Sequence, residues 1–267
     1  MSHYPNSGTW RACPQCGRHV HQRQWGTYQQ CPYCHYWQRL TVTQRLQQLV
    51  DTATFQSFET TERPVNQLGF PDYAEKIQRA QRQTGLSEVV VCGTVTIVQQ
   101  PCVLAVMDSH FMMGTLNTVV TRRLLHASEQ ARARHLPLVI VTASGGARMQ
   151  EGVYALVGMN LFLAELARLA TAQLPLITVL TDPTMGGVSA SFAFRGDLIV
   201  AEAGAKIGFA GARVIQQTLP VKLPADFQTA EQLLANGMVD AVIERPQLRA
   251  YLGRALSNYG IGGQVHG

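Results

Sequence analysis

Two stretches of the chain share one order of apolar and polar positions. Leu136-Pro137-Leu138-Val139-Ile140-Val141 runs into Ser144-Gly145-Gly146, and Leu174-Pro175-Leu176-Ile177-Thr178-Val179 runs into Met185-Gly186-Gly187. Each is a short apolar run opened by proline and closed by paired glycines, with a long helical pattern between them. That layout predicts two successive parallel strands, each delivering the chain to a loop and a helix N-terminus. Bare backbone N–H groups at neighbouring strand ends make a site for developing negative charge.

Around this repeat the pattern predicts an amphipathic helix over 41–51 and a surface helix over 72–85, with Tyr73, Ile77 and Ala80 facing inward and Gly85 as its cap. A hairpin follows, with strands over 89–98 and 103–107, then a helix from Gly114 to about His135. The helix expected over 147–172 is apolar on several sides, through Leu156, Met159, Phe162, Leu163 and Leu166, and so reads as sandwiched between layers. After the second glycine pair come a small-residue helix over 188–194, short strands over 198–200 and 206–209, and helices over 214–218, 229–236 and 247–256. Repeated strand, strand, helix units of this kind suggest an α/β fold of stacked sheets with helices outside. The implied boundaries are a cysteine-bearing module at 1–38, linker and approach helices at 39–87, a large α/β domain at 88–257 and a disordered tail at 258–267.

Net charge of +5 hints at anionic partners. Arg122, Arg123, Arg132 and Arg134 read as a solvated helix face, with phosphate contact as the sharper alternative. No segment reads as a signal peptide and no apolar run approaches membrane-spanning length, so the expectation is a cytoplasmic protein without membrane contact.

Cys13-Pro14-Gln15-Cys16 and Cys31-Pro32-Tyr33-Cys34, fourteen residues apart, set four thiolates at the spacing of a tetrahedral structural zinc site. Rubredoxin-like iron and a redox dithiol are the competing readings. His19, His21 and His35 read as surface residues, and Cys92 and Cys102 as small buried hydrophobes. Ser144, Ser189 and Ser191 flank the glycine pairs, but the sequence forms no Gly-x-Ser-x-Gly elbow and holds no histidine between His135 and His266. This argues against a serine nucleophile.

The four-cysteine ribbon, followed by Ser144-Gly145-Gly146-Ala147-Arg148-Met149-Gln150-Glu151, by the stretch from Thr181 through Gly186-Gly187 to Phe192, and by Ile207-Gly208-Phe209-Ala210-Gly211-Ala212-Arg213-Val214-Ile215, resembles the β subunit of bacterial acetyl-CoA carboxylase carboxyltransferase. The resemblance spans roughly Cys13 to Leu256. It implies a crotonase-like repeated ββα superhelix behind a small N-terminal zinc ribbon, and transfer of a carboxyl group from carboxybiotin to acetyl-CoA, giving malonyl-CoA for fatty-acid synthesis. It also implies an α subunit in an α2β2 assembly and a biotin carboxyl carrier protein that supplies the biotin. Gly186 and Gly187 would then form an oxyanion hole, Ser144, Gly145, Gly146 and Arg148 would shape the acyl-CoA pocket, and Cys13, Cys16, Cys31 and Cys34 would hold one zinc ion. Where the family carries Phe-Met-Gly-Gly-Ser-Met-Gly, this chain has Phe111-Met112-Met113-Gly114-Thr115-Leu116-Asn117, with Met113 and Asn117 in place of two glycines.

Two other function classes compete. One is a nucleic-acid-binding protein whose ribbon stacks RNA bases on Trp10, Trp25, Tyr28, Tyr33 and Trp37 among its arginines. The other is an acyl-CoA hydrolase or decarboxylase that works without biotin.

Overall fold

The computed structural model describes residues 9–58, 61–218, 220–224 and 226–259; from 260 onward the expected tail lies outside the described residues. The chain divides into two compact units, Met1–Leu40 and Thr41–Gly267. In the first, strands β1 (Trp10–Ala12) and β2 (His19–His21) pair antiparallel. Among the described residues its buried cluster is Cys13, Val20, Trp25 and Cys31, with Cys34 and Tyr36 packed against it, too little apolar surface to order the unit without a staple.

The second unit runs α1 (Val42–Leu49), β3 (Gln56–Ser57), α2 (Tyr73–Thr84), β4 (Val90–Ile97), β5 (Gln100–Met107), α3 (Thr118–Arg134), β6 (Leu138–Ser144) and α4 (Val153–Thr171). It continues through β7 (Leu176–Met185), α5 (Gly186–Ser189), β8 (Leu198–Glu202), β9 (Ile207–Gly208), α6 (Ala212–Thr218), α7 (Ala230–Ala235), β10 (Ala241–Ile243) and α8 (Arg245–Asn258). The strands join in the order β10-β8-β7-β6-β5-β4-β3, with β9 added to the C-terminal end of β7. From β5 to β10 neighbours are parallel, and β3, β4 and β5 are antiparallel. The stacked sheets expected from the repeat are therefore one continuous sheet, in which a two-residue β9 stands for the second strand of the later unit.

Side-chain alternation along the strands builds two cores. Val103, Ala105 and Met107 of β5, with Leu138 and Ile140 of β6, face α2, α3 and α4. Cys102, Leu104 and Val106, with Val139 and Val141, face α1 and α8. Cys92 and Cys102 are buried as expected, and burial pushes both thiols up, Cys92 to about 12. On the α1 and α8 side a buried carboxylate, Glu202 at the end of β8, sits between Arg45 of α1 and Arg245 of α8 at 2.7–3.3 Å. These guanidiniums hold it down to about 2 against the upward pull of burial.

Three expectations are corrected. The basic residues of α3 are not all a solvated face: Arg123 is buried and donates to the Val90 carbonyl and the Ser87 hydroxyl, and Arg132 pairs with buried Glu165 of α4. α4 is not sandwiched. Its inner face, through Ala155, Phe162, Leu166 and Leu169, joins the core, while Val153, Tyr154, Leu156, Val157 and Leu161 are exposed. The same helix is, by length and composition, apolar enough to cross a membrane, contrary to the reading that no run approached that size. With its inner face packed into the core and a buried glutamate on it, α4 has the character of a core helix with one unpartnered side.

Candidate functional site

Pairing of β6 with β7 brings the two glycine pairs together. The strands run in register from Leu138 opposite Leu176, slip once after Thr142, and end with Ser144 opposite Thr184. The chain reaches Gly145-Gly146 and Gly186-Gly187 at adjacent strand ends, and the two turns touch through main chain. A Cβ on Gly146 would lie 3.3 Å from the Gly186 Cα and 3.4 Å from the Gly187 nitrogen. Gly186 has φ +58°, and a Cβ there would stand 3.1 Å from the Gly146 Cα, so this crossing needs glycine on both counts.

The N–H groups of this crossing are unequal. Gly145 donates to the Met113 carbonyl at 2.7 Å, Gly146 to the Ser144 hydroxyl at 3.1 Å and Gly186 to the Phe209 carbonyl at 3.0 Å. Gly187 is different. It stands in the first turn of α5, where helical N–H groups have no internal acceptor, and among the described residues its N–H has no hydrogen-bond partner. The Ala147 N–H likewise has none, because the main-chain bonds of its bridge to Leu116 come from Leu116 and Arg148. A Cβ on Gly187 would lie 3.7 Å from that Ala147 nitrogen. Of the expected donor pair, then, the Gly186 N–H is bonded and the Gly187 N–H is not, and Ala147 offers a second free N–H that a search for glycines passes over.

The serine hydroxyls are committed elsewhere. Ser189 bonds the carbonyls of Gly186 and Gly208 at 2.9 and 2.7 Å, and Ser191 bonds that of Gly187. Both brace the turn, consistent with setting a nucleophile aside. The helix expected over 188–194 is in fact the short α5 followed by a separate tight turn at Ala193–Arg195.

Arg148 does not reach into a pocket. Its side chain is wholly buried, and all five guanidinium N–H groups are used: Nε on the Thr115 hydroxyl, Nη1 on Tyr73 and Glu88, and Nη2 on Glu88 and the Thr115 carbonyl, at 2.7–3.3 Å. The Glu88 carboxylate holds the guanidinium charged although burial pulls the other way. Arg148 therefore fixes the segment Phe111–Asn117 under the first glycine pair. Glu88, Tyr73 and Glu151 complete this clamp: Tyr73 donates to Glu151 at 2.7 Å, and Glu151 accepts the Thr118 N–H at 2.9 Å, at the start of α3. Burial pushes the Tyr73 phenol up to about 12. Isolated acids whose partners lie 29 to 78 positions away gave the sequence reading no pattern to find.

Within the clamped segment, Gly114 has no room for a side chain, since its Cβ would fall 1.9 Å from the Ala143 carbonyl oxygen. The two departures from the family pattern behave oppositely. Asn117, at an ordinary extended φ, caps α3 by accepting the Val120 N–H and donates to Glu88, both at 2.8 Å. Met113 carries φ +59°, a conformation that costs a side-chain-bearing residue.

In the first unit the four cysteine sulfurs all lie within 4.8 Å of one another, with Cys13 to Cys34 at 3.6 Å and Cys16 to Cys31 at 3.9 Å. A tetrahedron of thiolates about 2.3 Å from one ion has edges of about 3.8 Å, so the set fits a metal. Burial pushes Cys34 up to about 12. Burial acts on Cys31 in the same direction, but N–H groups of Tyr33 and Cys34 and the nearby thiols outweigh it and draw Cys31 down to about 7. Of the three histidines read as surface residues, His19 and His35 are exposed and His21 is half-buried, its Nδ1 accepting the Arg23 N–H.

Residues 35–259 match the carboxyl transferase domain family. The chain is 84% identical over 267 residues, all of both chains, to acetyl-coenzyme A carboxylase carboxyl transferase subunit beta 1 of Lactiplantibacillus plantarum. It is 46% identical over 254 residues, 95% of this chain and 88% of the relative, to the subunit beta of Desulforamulus reducens. Among solved structures it superposes on the Pseudomonas malonate decarboxylase MdcD–MdcE heterodimer with a TM-score of 0.64 at 22% identity, over 82% of this chain and 86% of that one. It superposes on transcarboxylase 12S with methylmalonyl-coenzyme A bound with a TM-score of 0.69 at 25% identity, over 82% of this chain and 41% of that one. With this crotonase-like architecture, the chain belongs to the carboxyl transferase family as an acetyl-CoA carboxylase carboxyltransferase beta subunit.

Proposed function

We propose that this subunit holds acetyl-CoA with its thioester oxygen on the N–H groups of Gly187 and Ala147, and that these two donors stabilise the enolate from which malonyl-CoA forms. The observation that carries this reading is that both N–H groups lack a partner among the described residues, at a crossing where the neighbouring N–H groups are already bonded. Fixed donors aimed at developing charge need no reorganisation during the reaction. Gly186 serves by permitting the close approach of the two turns, and Ser144, Gly145, Gly146 and Arg148 serve by holding the first loop. Carboxybiotin, delivered on the biotin carboxyl carrier protein, supplies the carboxyl group. The transcarboxylase relative with a bound CoA ester supports the substrate class.

The reaction is completed by an α subunit, in an α2β2 assembly in the cytoplasm. The outer face of the first half of α4, with Val153, Tyr154, Leu156, Val157 and Leu161 exposed beside the first glycine loop, supports a docking surface for that subunit. In the ribbon, Cys13, Cys16, Cys31 and Cys34 hold one zinc ion whose role is to fold residues 1–38. Exposed Trp10, Tyr28 and Tyr33, the last under the Arg18 guanidinium at 5.0 Å, support a separable contact of this module with RNA.

The test is transfer from carboxylated carrier protein to acetyl-CoA. Malonyl-CoA should form when this chain and the α subunit are mixed and not with either alone; robust transfer by the purified lone chain would contradict the shared site.

A further inference from the structure

Met113 occupies a position that its own backbone resists. Its φ of +59° is in the left-handed region, the preceding Met112 also has a positive φ, and yet the segment is held firmly. The Met113 carbonyl accepts the Gly145 N–H, Gly114 bonds back to Phe111, and Arg148 grips Thr115 from below. Strain kept in place by its surroundings at the edge of a reacting site is a reason to ask what the side chain does.

The side chain lies over the first glycine loop. A Cβ on exposed Gly145 would be 3.4 Å from the Met113 Cβ and 4.0 Å from its Cε, so both ends of the methionine border the space above that glycine. One residue further, Gly146 borders the Gly187 nitrogen, and the next residue is Ala147. A half-exposed methionine therefore stands two glycines, Gly145 and Gly146, from the two free N–H groups.

We propose that Met113 is a specificity-determining residue, a flexible wall that limits the acyl group on CoA to a short chain. The inference rests on the placement of the thioester at Gly187 and Ala147. An acyl group whose carbonyl oxygen sits on those donors extends along the glycine loop, where each added methylene meets the thioether. A hydrophobic wall of this kind discriminates one methylene by roughly 10- to 200-fold, and an unbranched thioether yields more than a branched side chain would.

The test compares kcat/KM for acetyl-CoA, propionyl-CoA and butyryl-CoA in the complex of this chain with the α subunit and carboxylated carrier. Two variants separate side chain from backbone: Met113→Gly removes the wall and the strain, and Met113→Ala removes the wall and keeps a left-handed non-glycine residue. In both, the propionyl-to-acetyl ratio should rise about tenfold or more, with butyryl-CoA gaining at least as much, while thermal denaturation should show added stability for the glycine variant alone. An unchanged ratio in both variants overturns the proposal, as does a rise confined to Met113→Gly, which would assign the effect to loop flexibility. Failure of the underlying placement is seen separately: Gly187→Pro would then leave acetyl-CoA transfer intact, whatever the ratio.

Discussion

Arg148 and Glu88 close a two-pronged ion pair across 60 positions of sequence, at 2.7 and 2.8 Å, with both side chains fully buried beneath the first glycine pair. The pair ties the approach to β4 to the loop after β6, and through Tyr73 and Glu151 it reaches α2 and the start of α3. The loop geometry depends on a charge that no solvent can replace. Glu88→Gln should cost about 3–5 kcal/mol in chemical denaturation, because it strands the guanidinium. A double variant, Glu88→Leu with Arg148→Met, should lose clearly less than the two single losses added together; simple additivity would mean the pair is not coupled.

Proline removes the Gly187 N–H, and alanine controls for the added Cβ, so the two variants together test the oxyanion role of Gly187. Proline fits the first turn of a helix and lacks an N–H, so Gly187→Pro should lower kcat about a hundredfold or more with the fold retained. Gly187→Ala keeps the N–H and asks only the flexible end of Met159, 2.5 Å from the new Cβ, to move aside. It should retain far more activity, and Ser189→Ala, which removes a brace of the turn and no donor, should cost much less than the proline change. Equal losses in the proline and alanine variants would point to steric disturbance in place of a lost donor.

For the ribbon, metal analysis should return about one zinc per chain. Cys31→Ser should lower occupancy and expose residues 9–40 to protease while the larger unit melts as before. Full-occupancy iron with a rubredoxin-type visible spectrum would reject zinc.

Acid stability has a calculable direction. The Glu202 carboxyl is depressed from its ordinary 4.5 to about 2, so its contribution is fully present above pH 4.5 and lost as the pH falls towards 2. The effect is on the order of 3 kcal/mol. Stability should fall through that window, and Glu202→Gln should flatten that part of the curve while lowering stability at pH 7, where Arg45 and Arg245 would face each other unneutralised. A variant with an unchanged acid slope would remove Glu202 from this role.

Local pattern was enough to read the central strands, the main helices and the meeting of the glycine turns, because apolar period, proline and paired glycines act within a few residues of where they stand; the short edge strands β3 and β10 were missed. What long-range partners decide was not legible. Arg148 lies in a glycine-rich stretch that reads as an open loop, and its burial follows from Glu88, Tyr73 and Thr115, each distant in sequence. The free N–H of Ala147 depends on which carbonyls the bridge to Leu116 consumes, and composition carries no trace of that. Likewise Leu156 and Leu161 look like core residues by type. Only the packing of the opposite face of α4 leaves them outside.

The buried carboxylate between two arginines also sets an order of events during synthesis. Glu202 draws Arg45 from 157 positions earlier and Arg245 from 43 positions later. A ribosome working at about 5–20 residues per second needs roughly 10–40 s to travel between the two arginines. Until α8 has been made and has left the exit tunnel, the carboxylate has half its partners and the second core lacks Leu248, Leu252 and Leu256. The larger unit can therefore close only after α8 has emerged from the ribosome, and a chain truncated before Arg245 should be disposed of by chaperones and proteases.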